Sequence, residues 1–293
     1  MIYYFNIADK GDFMQNISRR TFLKSAALSA ATLPLMANTQ DKKPQLKFIH
    51  ITDSHMDLSD SDSVDAMKLM VEFVNNNHKD LDFVCFGGDN FNNNVKGDKD
   101  ARIFKEITDK LHCPTLHVRG NKEAHPNPND AIHLAEFQKL FVEGKGLRVE
   151  GKDWAFEKNG ALFLGLDSCI EGQNNGRYTD ETIAFAKKML SQGKPTIILN
   201  HHPYTNYWGG TEAKDIHKYV LNNTDKVQAE LFGYKNLVAT LSGHKHIDSV
   251  TDVKGVKTIV TRGFIRPKDL DMYPMRLVEL HKNQIDEQLI YTS

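Results

Sequence analysis

The chain predicts an α/β fold, and three observations carry that expectation. Short apolar runs rich in β-formers alternate with segments of helical period, and the second half opens on an Asn-Gly hairpin signal. Polar, ligand-type residues stand directly after five predicted strands, the end at which α/β sheets build their sites.

Residues 46–52 (Leu-Lys-Phe-Ile-His-Ile-Thr) read as the first strand. A helix is expected from Ser63 to Asn76, where Val64, Met67, Met70, Phe73 and Val74 recur at helical spacing. The second strand is residues 81–86, followed by a helix from Asp100 to Leu111. A third strand covers 114–118, and a helix runs from about Ala131 to Phe141. Such alternation predicts βαβ units and a mostly parallel sheet. Residues 153–167 alternate around Asn159-Gly160 and predict a hairpin. A helix from Thr182 to Gln192, capped by Thr179 or Asp180, leads into a strand at 195–200. Another around Lys226–Phe232 leads into a strand at 237–241. Three later runs (Ser249–Val253, Val256–Arg262 and Met275–Leu280) read as an antiparallel C-terminal set.

Composition places the chain among soluble globular proteins: 40% hydrophobic, 26% charged, net charge -1. No basic excess marks a nucleic-acid-binding surface. The three cysteines show no CxxC spacing, so no disulfide framework is expected, and Cys85 reads as a small core residue.

Residues 1–40 differ from the rest. Ser18-Arg19-Arg20-Thr21-Phe22-Leu23-Lys24 precedes an uncharged stretch ending near Ala37, in the order of a secretory signal. The paired arginines resemble a twin-arginine (Tat) signal. That resemblance implies the Tat machinery as a partner and a periplasmic or extracellular destination. Met14 is a candidate start and Ala37 a candidate cleavage point. The apolar stretch falls short of the ~20 residues a stable span requires. Residues 44–290 carry neither an internal repeat nor a linker-like stretch and read as one domain.

The residues after the strands carry the chemistry. They are Asp53-Ser54-His55, Gly88-Asp89, Gly120-Asn121-Lys122-Glu123, Asn200-His201-His202-Pro203 and Gly243-His244-Lys245-His246. Any one is an ordinary polar turn; five in succession at one end of a sheet are not. Carboxylates with imidazoles suit Mn, Fe or Zn, and the absence of a cysteine cluster argues against a structural thiolate zinc site. A central carboxylate can bridge two ions roughly 3.5–4 Å apart with a hydroxide between them as nucleophile.

This ordered set (D-x-H, G-D, G-N, a His before a proline, G-H-x-H) resembles the calcineurin-like metallophosphoesterase superfamily. The resemblance spans residues 53–246 and implies two packed mixed β-sheets flanked by helices. It also implies two divalent ions and hydrolysis of a small-molecule phosphomonoester or phosphodiester. Carried across by motif, Asp53, His55 and His246 would hold one ion, Asn121, His201 and His244 the other, and Asp89 would bridge them. A cyclic-nucleotide phosphodiesterase would share the same site.

One position departs from the pattern. The family loop reads G-N-H-[DE], and here Lys122 stands where that His contacts phosphate and protonates the leaving oxygen. Three readings follow: Lys122 does the same work as a point charge and proton donor, His125 replaces it, or the site binds without turnover. Arg119, His202 and Tyr204 are further candidates for substrate contact, and Glu123 is expected to make structural hydrogen bonds.

Overall fold

The computed structural model describes residues 43–93, 97–124 and 132–293. The twin-arginine stretch and His125 lie outside the described residues.

The first half follows the expected alternation. Strand β1 (Leu46–Ile51) leads to α1 (Ser61–Asn77), β2 (Phe83–Phe86), α2 (Lys99–Thr108), β3 (Thr115–His117), the single turn α3 (Asn121–Ala124) and α4 (Leu134–Phe141). The Asp60 side chain caps α1 by accepting from Asp62 N, and Ala66, Met67, Met70, Val71 and Val74 form its buried face. Then come β4 (Arg148–Glu150), β5 (Asp153–Lys158), β6 (Ala161–Gly165), α5 (Asp180–Leu190), β7 (Thr196–Leu199), a 3₁₀ turn (Ala213–Lys218), α6 (Thr224–Leu231) and β8 (Leu237–Ser242). Strands β9 (Ser249–Val253), β10 (Val256–Val260), β11 (Pro274–His281) and β12 (Gln284–Tyr291) complete the order. Asn159 and Gly160 both take positive φ, as the tight hairpin joining β5 to β6 requires. Of the two cap candidates for α5 it is Thr179 that accepts from Thr182 N.

Two mixed sheets result, ordered β12-β11-β1-β2-β3 and β4-β5-β6-β7-β8-β10-β9. They pack face to face. Phe48 stacks on Phe83 with ring centroids 4.7 Å apart, and Phe163 of the second sheet meets them at 5.2 and 4.9 Å. Because side chains alternate across a strand, Phe86 points away from Phe83 and packs against Phe104 of α2. Leu162 and Leu164 likewise turn from Phe163 toward Ile183 and Phe185 of α5 and Val227 and Leu231 of α6. Helices therefore cover both outer faces.

The C-terminal strands do not form the single antiparallel set that their sequence suggests. Strand β10 is antiparallel to β9 but parallel to β8, whereas β11 joins the other sheet beside β1. Alternation fixes which face a strand buries, not which neighbour it takes. The short exposed β4 and the terminal β12 had no comparable signal. Among the described residues, no helix is long and apolar enough to cross a membrane, and all three cysteines are free.

Candidate metal centre

The carboxyl ends of β1, β2 and β3 in one sheet and β7 and β8 in the other converge on one cleft of about 620 Å³. Its lining includes His55, Asp89, Asn121, Lys122, His244 and His246. The polypeptide must turn sharply at each strand end to aim a side chain inward. Asp53, His55, Asp89, His244 and His246 all take left-handed backbone, with φ between 45° and 64°. A non-glycine residue held there is strained, and such strain concentrates at functional sites.

Glycines make the close approach of these turns possible. A Cβ on Gly120 would lie 2.2 Å from Asp89 N, and one on Gly243 would lie 2.0 Å from Thr52 Oγ1 and 2.3 Å from Asp53 Oδ2. Glu123 ties the second and third turns together. Its fully buried carboxylate accepts from Asp89 N (3.0 Å), Asn90 N (2.7 Å) and Gly120 N (2.6 Å). Glu123 is thus the structural clamp expected from its place beside Asn121.

Hydrogen bonds fix the imidazole tautomers. His201 Nδ1 donates to Gly87 O at 2.9 Å, leaving Nε2 directed at Asn121 Oδ1 (3.1 Å) and Asp89 Oδ2 (3.5 Å). His55 Nδ1 donates to Asn92 Oδ1, whose amide is oriented by its own bond to Asp57, so His55 Nε2 also faces the cluster. His244 Nε2 donates to Lys218 O at 2.8 Å, leaving Nδ1 facing His201 Nε2 at 3.2 Å. His246 Nε2 approaches Asp53 Oδ1 at 3.1 Å and His55 Nε2 at 3.1 Å. Asp53 is anchored from behind by Thr52 Oγ1 and His244 N. Asp89 Oδ1 accepts from Lys122 N, and Asp89 Oδ2 lies between the halves, 3.6 Å from His55 Nε2 and 3.5 Å from His201 Nε2.

Electrostatics favour a cation at this point. Burial alone would raise the Asp89 carboxyl, but the His201 imidazole beside it holds it well below the usual carboxylate range. Burial would lower His201, yet the Asp89 carboxylate raises it to about 9. His244, buried and facing the His201 charge, is pushed down to about 4. The converging donors — imidazole nitrogens, two carboxylates and an amide oxygen — are a set that divalent transition ions take once His201 gives up its proton. Two groups, Asp53-His55-His246 and Asp53-Asp89-His201, each bring their ligand atoms within 4.8 Å of one another.

His201, His202 and His244 also meet that distance limit, but His202 has no lone pair to spare. Its Nε2 donates to Asn174 O (3.1 Å) and its Nδ1 is paired with Ser168 Oγ (2.8 Å). Three expectations for substrate contact need correction. His202 is buried behind His201 in those two bonds. Arg119 is turned away from the cleft, its Nε bonded to Asp167 Oδ2 and its Nη1 to Glu171 Oε1, both at 2.7 Å. Tyr204 is fully buried with its hydroxyl 2.6 Å from that of Tyr178. Lys122, by contrast, lines the cleft. So do Asn174, Asn175, His217, Lys218 and Tyr219, which the sequence did not mark because they sit in a loop and a 3₁₀ turn away from any strand end.

A family model described as calcineurin-like phosphoesterase matches residues 46–248. The chain is 27% identical over 181 residues to a probable glycerophosphodiester phosphodiesterase, GpdQ, of Arcobacter nitrofigilis, the match covering 61% of each protein. It therefore spans about three fifths of that relative's length. It is 23% identical over 242 residues to the 3',5'-cyclic adenosine monophosphate phosphodiesterase CpdA of Haemophilus influenzae, covering 77% of this chain and 80% of that one. Among solved structures, a dimetal phosphatase from Danio rerio shares the fold with a TM-score of 0.64 at 13% identity, over 86% of this chain and 100% of its own. Sheet order, strand-end ligand-type residues and the family match agree: the chain belongs to the calcineurin-like phosphoesterase family.

Proposed function

We propose that this chain hydrolyses small phosphomonoesters or phosphodiesters with two divalent metal ions. The observation that carries the reading is the place of Asp89 Oδ2, nearly equidistant from His55 and His201. Asp53, His55 and His246 would hold one ion, Asn121, His201 and His244 the other, and Asp89 both. Bound there, such ions polarise phosphoryl oxygens and provide a nucleophile at neutral pH. Names of two relatives support the diester arm, a cyclic nucleotide being one form of it.

The protein's own contribution is orientation and charge. Carbonyls of Gly87 and Lys218 and the amide of Asn92 hold three imidazoles with their free nitrogens inward, which keeps ligands correctly turned. Lys122 lines the cleft beside Asn121, where an ammonium offers phosphate a point charge and the departing oxygen a proton. Asn174 and Asn175 add polar groups to the same wall.

The test is turnover of an aryl phosphodiester and an aryl phosphomonoester by protein loaded with Mn²⁺. Asp89→Ala is expected to fall to background and to hold fewer ions than wild type. Lys122→Ala is expected to lose about 10²-fold in kcat, the lower end of what a positioned proton donor contributes. The loop that carries Lys122 in place of His also supports a binding-only reading. A silent wild type that gains turnover as Lys122→His would establish that second reading, and a wild type that takes up no metal would defeat both.

Export belongs to the same proposal: the twin-arginine motif at Ser18–Lys24 directs the folded chain through the Tat system to the periplasm or beyond. Replacing Arg19 and Arg20 with Lys should leave the protein in the cytoplasmic fraction; unchanged export would refute the assignment.

A further inference from the structure

The bond from His244 Nε2 to Lys218 O joins the cluster to a piece of chain that is not part of it. A carbonyl can only accept, so this contact fixes the proton on Nε2 and leaves Nδ1 as the inward nitrogen. Lys218 ends the Ala213–Lys218 turn, and no residue of that turn is buried. Its position thus depends on its ends and on what it touches across the cleft. The next residue supplies a second contact on the same strip: the Tyr219 ring lies 3.6 Å beneath the Lys245 ammonium and 5.9 Å from the His244 ring. The dipeptide His244-Lys245 therefore grips the dipeptide Lys218-Tyr219. The bond from Tyr219 N to Ile216 O (2.9 Å) closes the turn on itself, and that from Leu221 N to Pro203 O (3.0 Å) roots the strip just beyond it. His217, Lys218 and Tyr219 form a wall of the same cleft that holds the ligand-type residues.

We infer that Tyr219 is a positioning residue: it holds the Lys218 carbonyl on His244, so that metal occupancy and the order of the 213–219 wall are coupled. The inference rests on the two-metal reading above. Coupling is reciprocal, so a metal that fixes the His244 ring tightens the wall, and loosening the wall weakens the metal. The wall faces the space a phosphoester would fill, so the same contact links metal loading to the shape of the substrate pocket.

Two measurements on the full chain test it, using Mn²⁺ as the probe after metal is stripped. In calorimetric titration, Tyr219→Ala should weaken one binding event by about tenfold, the low end for loss of a group that orients a ligand, and leave the other unchanged. Tyr219→Phe, which keeps the ring under Lys245, should bind as wild type does, and Lys245→Ala should shift affinity in the same direction as Tyr219→Ala. In limited trypsin digestion, Mn²⁺ should slow cleavage after Lys214 and Lys218 in wild type and in Tyr219→Phe, but not in Tyr219→Ala. A wild type that binds Mn²⁺ with unchanged cleavage there, or a Tyr219→Ala protein with wild-type affinities, overturns the inference and leaves the two-metal reading intact. Failure of wild type to bind Mn²⁺ at all overturns both.

Discussion

Asp89 and the turns around it show how much of the site depends on single residues. Its backbone is left-handed, its Oδ1 is spent on Lys122 N, and Gly120 packs against it with no room for a side chain. Gly243 plays the same part for Asp53. Gly243→Ala places a methyl within 2.3 Å of both Thr52 Oγ1 and Asp53 Oδ2, and the overpacking is expected to cost about 1–3 kcal/mol. Urea unfolding would measure that loss, and metal titration should show the Asp53 half weakened; an unchanged midpoint with unchanged metal affinity would contradict it. At this scale the sequence was legible wherever residue type and strand-end position coincided. Asp53, His55, Asp89, Asn121, His201, His244 and His246 all reach one cluster. A backbone carbonyl such as that of Lys218 has no residue-type signal, and Arg119 looked available because its partners, buried Asp167 and exposed Glu171, lie about fifty residues away in the chain.

Between residues and fold stand the elements, and here Glu123 is decisive. The turn α3 is too short to be held by its own hydrogen bonds, and the strand-end loop at Asp89 has no regular structure. One buried carboxylate gathers the N–H groups of Asp89, Asn90 and Gly120 and so fixes the spacing of two elements at once. Glu123→Ala strands all three donors, and a loss of about 3 kcal/mol or more is expected on unfolding, with metal affinity falling alongside. If the variant matches wild type in both, the clamp is not what sets the loop. Helices α1, α2, α5 and α6 were readable because apolar periodicity and caps such as Thr179 act locally. The partners of β10 and β11 were not, since pairing is decided by tertiary packing.

Taken whole, the molecule carries a buried acid outside the cleft lining whose ionisation opposes folding. Asp153, at the start of β5, accepts from Asp167 N and is almost fully buried. Burial pushes its carboxyl from 3.8 to about 7, against the pull of that backbone donor, Thr182 and Lys152 and with the help of Asp167. Between those two pH values the folded chain keeps a proton that the unfolded chain has released. Stability should therefore fall as pH rises from about 4 to about 7, by a total on the order of 4 kcal/mol from this group. Asp153→Asn should flatten the unfolding free energy over that window, as read by urea titrations at pH 5 and pH 8. An equal pH slope in variant and wild type would remove Asp153 from the account. Burial of this kind is invisible in a sequence, where Asp153 reads as the polar residue opening a hairpin.

Strand β1 gives the site its Asp53, yet it is flanked by β2 on one side and by β11 on the other. Leu46 pairs with Leu280 and His50 with Arg276, so the earliest strand of the domain waits for nearly the latest one. Arg276 of β11, itself buried, also pairs with the exposed Asp248, two residues beyond His246, and so braces the last of the ligand-type loops. On the ribosome, then, one edge of the first strand stays bare while almost all the domain is made. The frame that positions Asp53 is thus complete only when nearly all of the domain has been made.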